Sequence, residues 1–407
     1  MKRIYLDHAA STPVDPRVER VMRPYFLKQF GNPGSLHSFG QEAIAAVDAA
    51  RETSARLIGA DFHEIVFTGS ATEANNLAIR GAVKRWKEIA GNKDVRPRII
   101  VSAIEHESVL ETVHDLERDG AEIVRIPVNN EGLVDATAVS HALAECDDSR
   151  TVLISVMYAN NEIGSIQPVA AIGEAVRVAR NPGRYPLFHT DAVQAFQFLD
   201  CDVRKLGVDM MTLSAHKIYG PKGIGALYVR NDDAARKKSN AGSPATIMPI
   251  VTGGGQEFGM RSGTESVPLI VGFAKAAELA AATRKAETKR LAALRQYLIK
   301  GIKKISRKAE VNGPRAGGSA ALPNILNVRF PGHTAEDLIV RLDLAGIAVS
   351  AGSACRARAT MPSYVIRALG HAEERANESI RMSFGRGTTK SEISRVLKTL
   401  EGSLKLF

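Results

Sequence analysis

The stretch Met210-Met-Thr-Leu-Ser-Ala-His-Lys217-Ile-Tyr-Gly-Pro-Lys-Gly223 joins an apolar run to a lysine and a turn. Residues 210–214 predict a β-strand, and the Gly and Pro residues after Tyr219 prevent the chain beyond Lys217 from continuing as a helix. In open α/β sheets, ligands bind at the carboxyl ends of the strands. We therefore expect Lys217 to lie at the ligand-binding edge of a sheet. The alternative for one lysine on a loop is a solvated surface position.

Further β-rich runs surround this stretch and alternate with helical patterns. The seven predicted strands are 64–68, 98–102, 122–127, 151–157, 186–190, 210–214 and 225–229. Alternation of strands and helices predicts an α/β fold with a mostly parallel sheet that is covered on both faces. Beyond this sheet, the sequence predicts a smaller α+β unit, which comprises a long helix from about 267 to 306, strands at 324–330 and 346–350, and a final helix at 391–400.

The length of 407 residues favours two domains. We expect a large domain from 16 to 265, and a small domain formed by 1–15 together with 266–407. Residues 350–362 of the small domain are mostly small, so this segment can bury little apolar surface. We expect it to form a mobile loop.

Composition and charge exclude several classes of protein. No run of eighteen apolar residues and no signal peptide are present, so we expect a cytoplasmic protein with no membrane partner. The net charge of +10 is diffuse except at 284–308, where Leu and Ile recur at helical spacing. This pattern favours a solvated helix face over direct binding of nucleic acid, with docking of an acidic partner as the alternative.

The three cysteines, Cys146, Cys201 and Cys355, are far apart in sequence and form no CxxC pair. Neither a disulfide framework nor a metal site is therefore expected. A free cysteine is most often an inert core residue, and this is our interpretation of Cys146 and Cys201. Cys355 differs, because Arg356 and Arg358 flank it and favour the nucleophilic thiolate.

A carboxylate and an amide follow another predicted strand, in His189-Thr-Asp-Ala-Val-Gln194. A buried carboxylate such as Asp191 can keep a pyridinium nitrogen protonated, and the positive ring then acts as an electron sink. The alternative for Asp191 is to cap the next helix.

A helix is predicted to begin directly after the strand at 64–68, in Thr68-Gly-Ser-Ala-Thr72-Glu. Free backbone N–H groups at a helix start, together with the hydroxyls of Ser70 and Thr72, can bind a phosphate. Alone, this motif is also common capping chemistry. In combination, the three strand ends offer a lysine for an aldehyde, a carboxylate for a ring nitrogen and a cradle for a phosphate.

These segments closely resemble the cysteine desulfurases of the IscS/NifS type, which are fold-type I pyridoxal-phosphate enzymes. The resemblance covers nearly the whole chain. It rests on the motifs Tyr5-Leu-Asp-His-Ala-Ala10, Gly31-Asn-Pro33, Ser70-Ala-Thr-Glu73, Glu105-His106, Asn160-Asn-Glu-Ile-Gly164, His189-Thr-Asp-Ala-Val-Gln194, Ser214-Ala-His-Lys-Ile-Tyr-Gly-Pro-Lys-Gly223, Gly259-Met-Arg-Ser-Gly-Thr264, Gly352-Ser-Ala-Cys355 and Ser379-Ile-Arg-Met-Ser383.

The resemblance implies a pyridoxal 5'-phosphate cofactor attached to Lys217, with Asp191 at its pyridine nitrogen and Gln194 at its ring hydroxyl. His106 would stack on the ring and move protons. The phosphate would be held by Ala71, Thr72, Ser214, His216 and, from the second subunit of a homodimer, Thr264.

For the substrate, the resemblance implies that Arg381 binds the carboxylate of L-cysteine, assisted by Asn161. A guanidinium suits a carboxylate because two parallel hydrogen bonds fix its orientation. Cys355 would take the sulfur as a persulfide, release L-alanine and pass the sulfur to an acceptor protein for iron–sulfur cluster synthesis or another sulfur-containing product.

Two alternatives stay open at this point. A selenocysteine lyase or another fold-type I lyase would share the lysine, the aspartate and the phosphate cradle, although Cys355 in its Gly-Ser-Ala-Cys setting argues against it. A non-catalytic adaptor of the same fold would relay sulfur between partners. The fold does not determine which acceptor receives the sulfur.

Overall fold

The computed structural model describes residues 3–91, 95–145, 150–180, 185–231, 246–314, 320–352 and 362–405. The strands within these ranges are β1 Ile4–Tyr5, β2 Ile65–Thr68, β3 Arg98–Ser102, β4 Glu122–Ile126, β5 Thr151–Ser155, β6 Leu187–Asp191, β7 Met210–Ser214, β8 Gly225–Val229, β9 Glu310–Asn312, β10 Ile325–Arg329, β11 Ile347–Ala348 and β12 Ser379–Ser383.

The helices within the same ranges vary widely in length. They are α1 Pro16–Met22, α2 Pro24–Leu27, α3 Ser38–Leu57, α4 Ala71–Ala90, α5 Glu107–Arg118, α6 Ala136–Ala144, α7 Val169–Ala179, α8 Val203–Leu206, α9 Val267–Ile305, α10 Ala335–Leu344, α11 Tyr364–Ala368, α12 Glu373–Asn377 and α13 Lys390–Leu404.

Seven strands form the main sheet in the order β2-β8-β7-β6-β5-β3-β4. All neighbours are parallel except at β8, which is antiparallel to both β2 and β7. The predicted mostly parallel seven-stranded sheet is confirmed, and observed strand ends differ from the predicted ones by no more than two residues.

Every residue of the six strands other than β4 is buried in this sheet. The reason is that apolar helices cover both faces. On one face, Val66, Ile99 and Val101 pack with residues of α4 and α5. On the other, Ile65 and Ile100 pack with residues of α3, α6, α7 and α9. Strands that are buried on both faces carry continuous apolar runs, which explains why the sequence identified them well.

A three-stranded antiparallel sheet, with the order β12-β10-β9, forms a second unit, and β1 pairs with β11 in parallel. The predicted strands at 324–330 and 346–350 are confirmed as β10 and β11. The predicted long helix is confirmed as α9, whose 39 residues span ~58 Å. The prediction omitted β1, β9 and β12. The division into a large domain at 16–265 and a small domain of 1–15 with 266–407 stays a prediction.

Within the described ranges, none of the helices combines the length and the apolar composition that a membrane crossing requires.

Candidate active site

A cavity of about 220 Å³ lies where the carboxyl ends of β2, β3, β5, β6 and β7 meet the amino-terminal segment and β12. Most of the predicted site residues line it. They are Ala71, Thr72, His106, Asn161, Asp191, Gln194, His216, Lys217 and Arg381. Parallel strands bring residues that are far apart in sequence to one edge, as expected for an open α/β sheet.

Lys217 ends a single 3₁₀ turn directly after β7. Its Nζ donates hydrogen bonds to the carbonyl oxygens of Ala9 at 2.7 Å and Ala10 at 2.8 Å. Tyr219, two residues later, has a φ of 68°, which is unusual for a bulky residue. Bonds from Tyr219 N–H to Thr12 Oγ1 and from the Asp15 N–H to the Tyr219 carbonyl hold it there. The amino-terminal segment therefore fixes the turn that carries Lys217.

Asp191 is the last residue of β6 and is only 5% exposed. Its Oδ2 accepts a hydrogen bond from Asn75 Nδ2 at 2.9 Å, and its Oδ1 accepts one from the Val193 N–H at 3.0 Å. The second bond closes a local turn two residues long, and the described residues directly after Asp191 form turns rather than a helix. Asp191 therefore does not cap a helix, and the helix-capping alternative is wrong.

The start of α4 has the geometry of a phosphate cradle. Ser70 Oγ accepts from the Glu73 N–H and the Ser70 carbonyl accepts from the Ala74 N–H, so the N–H groups of Ala71 and Thr72 are left for a ligand. Gly225 makes this position possible, because a Cβ there would lie 2.6 Å from the Ser70 carbonyl carbon. The cradle is therefore built by the close approach of β8 to a helix start.

Ser214 and His216 line a second, adjoining cavity that also includes Ser70 and Lys222. Burial, with the charges of Lys217 and Lys222, lowers the pKa of His216 to about 4, so its imidazole is neutral near neutral pH. Thr264 lines a third cavity beside Thr68 and Gly69 and does not line the main one. Of the predicted cofactor residues, only Ser214 and Thr264 thus lie outside the main cavity.

His106 precedes α5 and caps it. Its Nδ1 accepts a hydrogen bond from the Ser108 N–H at 3.1 Å and lies 2.8 Å from Ser108 Oγ. Burial lowers the pKa of His106, the charge of Asp191 opposes this, and the charge of Lys217 adds to it. The imidazole is therefore kept neutral at the edge of the cavity.

Arg381 lies on β12 and is only 1% exposed. Its Nη2 donates to Asp7 Oδ1 at 2.7 Å and its Nη1 to the Asn161 carbonyl at 2.9 Å, while its buried Nε has no hydrogen-bond partner among the described residues. Gln194 Nε2 donates to the Ala9 carbonyl at 2.9 Å. A fixed guanidinium at the cavity wall is suited to bind a carboxylate.

Cys355 lies outside the described residues, as do Arg356, Arg358 and Cys146. Cys201 is fully buried, and burial raises the pKa of its thiol to about 12. Its prediction as an inert core cysteine is confirmed.

Sequence reasoning missed five contributors to the site: the side chains of Asp7, Asn75 and Ser108 and the carbonyl groups of Ala9 and Ala10. A signal for Asn75 was present, because it lies on the apolar face of α4 with Ala78, Ile79 and Ala82 at helical spacing. A polar residue on such a face needs a buried partner. Asp7 carried no comparable signal, because its partner is 374 positions away.

Comparison with known proteins shows similarity over the full length. The model of the class-V aminotransferase family matches residues 4–396. The putative cysteine desulfurase IscS 1 of Bacillus subtilis is 41% identical over 406 residues, which cover 100% of this chain and 99% of that protein. The cysteine desulfurase IscS of Dictyoglomus turgidum is 42% identical over 402 residues, which cover 98% of this chain and 94% of that protein. A solved structure of a NifS-like protein superposes with a TM-score of 0.87 at 34% identity, covering 100% of both chains.

Proposed function

The chain belongs to the class-V aminotransferase family and is a cysteine desulfurase, and on this premise we propose which of its residues bind the cofactor, bind the substrate and receive the sulfur. Lys217 carries the cofactor, Asp191 and the start of α4 hold it, Arg381 binds L-cysteine, and Cys355 receives the sulfur. One observation carries this proposal: Lys217, Asp191, His106 and Arg381 line the same cavity.

Enzymes of this family use pyridoxal 5'-phosphate, and the residues present fit it. The N–H groups of Ala71 and Thr72, which have no hydrogen-bond partner among the described residues, suit a phosphate, and the buried carboxylate of Asp191 suits a ring nitrogen that must stay protonated. When bound, this cofactor supplies an electron sink that allows bonds of an amino acid substrate to break.

Lys217 is the attachment point and a proton carrier in this proposal. The carbonyl groups of Ala9 and Ala10 hold its amine at the cavity wall, within the set of residues that includes Asp191 and His106. A lysine amine positioned beside the reacting groups can accept or donate a proton there. Gln194 and Ser214 complete the binding of the ring and the phosphate.

Arg381 orients the substrate through its carboxylate, with Asn161 beside it. Because the guanidinium is already held by Asp7 and by the Asn161 carbonyl, little side-chain freedom is lost when L-cysteine binds. Orientation by a fixed guanidinium determines which end of the amino acid faces the cofactor.

Cys355 then takes the sulfur of L-cysteine. One C–S bond of the substrate breaks and one S–S bond forms. The carbon that loses sulfur takes a proton, so L-alanine and a persulfide result without an outside oxidant or reductant. Arg356 and Arg358 favour the thiolate form that attacks.

We further propose a cytoplasmic homodimer that passes sulfur to an acceptor protein, for iron–sulfur clusters or another sulfur-containing product. The position of Thr264 outside the main cavity of its own chain supports the dimer, since a partner subunit's cavity is then its place of action. Analytical ultracentrifugation of the holoenzyme tests the dimer, and a monomer with full activity would contradict it.

The test of the function compares Cys355→Ala with Cys201→Ala. The wild type is expected to form L-alanine from L-cysteine and to gain the mass of one sulfur atom on the peptide that contains Cys355. Cys355→Ala is expected to lose the persulfide and nearly all sulfide release, whereas Cys201→Ala keeps both. If Cys355→Ala released sulfide at the wild-type rate, the chain would act as a lyase that does not use this cysteine.

A further inference from the structure

Asn75 and Ser108 connect two residues of the cavity that are on different elements. Asn75, on α4, is completely buried, and Ser108, on α5, is 8% exposed. Asn75 Nδ2 donates to Asp191 Oδ2 at 2.9 Å and to Ser108 Oγ at 2.8 Å, and Ser108 Oγ lies 2.8 Å from His106 Nδ1. Asp191 and His106 are thus the two ends of one hydrogen-bond chain.

The direction of each hydrogen bond in the series from Asp191 to His106 is fixed. A carboxylate only accepts, so the amide nitrogen of Asn75, and not its oxygen, faces Asp191. The second hydrogen on the same nitrogen goes to Ser108 Oγ. This leaves the hydroxyl hydrogen of Ser108 to donate to His106 Nδ1.

The backbone fixes the polarity at His106 independently of the hydroxyl. The Ser108 N–H donates to His106 Nδ1 at 3.1 Å, and a backbone N–H cannot accept. Nδ1 therefore has no room for a proton of its own. In the neutral ring the proton is on Nε2.

We propose that Asn75 and Ser108 are positioning residues that hold Asp191 in place and fix His106 as the tautomer with its proton on Nε2. Neither residue reacts. Asn75 acts through Asp191 and Ser108, and Ser108 acts through His106.

The surroundings of His106 support a neutral ring. Burial lowers its pKa, and the charged groups that act on it are Asp191, Lys217 and Glu107. A neutral imidazole with its proton on Nε2 donates a hydrogen bond to a ligand and does not accept a proton there. To accept one, its own proton must move to Nδ1 and the contacts with Ser108 must break.

A division of labour follows, and this part rests on the proposed function. Lys217 is the group that accepts the proton from the substrate, while His106 orients by donating a hydrogen bond. The alternative, in which His106 is the base, requires the opposite tautomer.

The first experiment reads the tautomer directly. The holoenzyme is labelled with ¹⁵N-histidine, and the His106 signals are assigned by their absence in His106→Gln. We expect an unprotonated Nδ1 and a protonated Nε2. A protonated Nδ1, in either the neutral or the charged ring, would overturn the proposal.

The second experiment compares Asn75→Ala with Asn76→Ala. Asn76 is the next residue of α4, and its Nδ2 donates to the Thr72 carbonyl rather than to Asp191. Loss of the donor to a buried carboxylate should weaken the binding of pyridoxal 5'-phosphate to the full-length chain by about ten- to a hundredfold. Asn76→Ala should bind it as the wild type does, and equal affinities in the two variants would contradict the role of Asn75.

A pair of variants at Ser108 covers the case in which Asn75→Ala does not fold. Ser108→Thr keeps the hydroxyl and should retain the wild-type nitrogen spectrum of His106, whereas Ser108→Ala should shift the Nδ1 signal. Identical nitrogen spectra of His106 in the two variants would show that the Ser108 hydroxyl does not donate a hydrogen bond to His106. None of these measurements uses turnover, so a chain that bound the cofactor but left L-cysteine unchanged would refute the proposed function and not this inference.

Discussion

The two walls of the cavity differ in how the chain builds them. The cofactor wall includes Ser70, Ala71, Thr72, Asp191, Gln194, His216 and Lys217, each at the end of its own strand or within four residues of it. The substrate wall consists of Ala9, Ala10, Asn161 and Arg381. In it, Arg381 is held by Asp7 and Asn161, which are 374 and 220 positions away. The cofactor wall is formed by residues at the ends of individual strands, whereas the substrate wall forms only when segments that are distant in sequence come together.

Backbone hydrogen bonds, in addition to the side-chain bonds, hold the substrate wall in place. The Arg381 N–H donates to the Ser350 carbonyl at 2.6 Å, and the Ser350 N–H donates to the Arg381 carbonyl at 3.1 Å. Asp7 forms an isolated β-bridge with Ser383, which lies on β12 together with Arg381. Under the proposed roles, residues of one wall hold the cofactor and residues of the other orient the substrate, so changes in the two walls should have different effects.

The largest effect is expected from Lys217→Ala in the cofactor wall. Without the amine, the cofactor has no attachment point and the substrate proton has no acceptor, so the rate of L-alanine formation should fall by about 10³-fold or more. Borohydride should attach the cofactor permanently to the wild-type chain and leave it removable by dialysis from the variant.

Lys205→Ala is the matched control, because Lys205 is exposed and pairs with Asp200. It should retain activity and attachment. Turnover within tenfold of the wild type in Lys217→Ala would remove Lys217 from its proposed role.

A smaller and different effect is expected from Arg381→Lys in the substrate wall. Lysine keeps the charge but loses the planar pair of donors, so the KM for L-cysteine should rise by about ten- to a hundredfold. The affinity for the cofactor should not change, and steady-state kinetics together with a cofactor titration measure both.

Arg329→Lys on the neighbouring strand β10 serves as the comparison, since Arg329 pairs with Glu378 away from the cavity. An unchanged KM in Arg381→Lys, or an equal loss of cofactor affinity, would show that the two walls do not divide the work in this way.

The smallest effect on turnover, but a clear one on stability, is expected at Glu105. This fully buried carboxyl bonds with Ser102 and accepts from the Met157 N–H at 2.7 Å. Burial raises its pKa from 4.5 to about 8. Between these values the folded chain binds a proton that the unfolded chain has lost, so the free energy of unfolding should fall as pH rises.

Glu105→Gln should remove most of this pH dependence, which denaturant unfolding at pH of about 5 to about 8 measures. Glu111→Gln, at an exposed position of α5, which begins two residues after Glu105, is the control. An equally steep fall in stability in Glu105→Gln would mean that another group is responsible.

Much of the fold could be predicted from the sequence because the decisive signals are local. The strands of the main sheet are buried on both faces and appear as continuous apolar runs between helical patterns. The strands β1, β9 and β12 were missed, because they are short or lie in a segment without such a run. The motif Ser379-Ile-Arg-Met-Ser383 draws attention to Arg381 through the family resemblance, but it does not by itself predict the strand β12.

The sequence alone determined the main sheet, the position of Lys217 at a strand end, the carboxylate of Asp191 and the helix start at Ser70. Each of these depends on residues within one strand and the turn after it. Only the tertiary structure decided that Asp7 holds Arg381 and that Asn75 and Ser108 join Asp191 to His106. The physical reason is that a buried polar group needs a partner, but its partner can lie anywhere in the chain, so the fold and not the local sequence selects it.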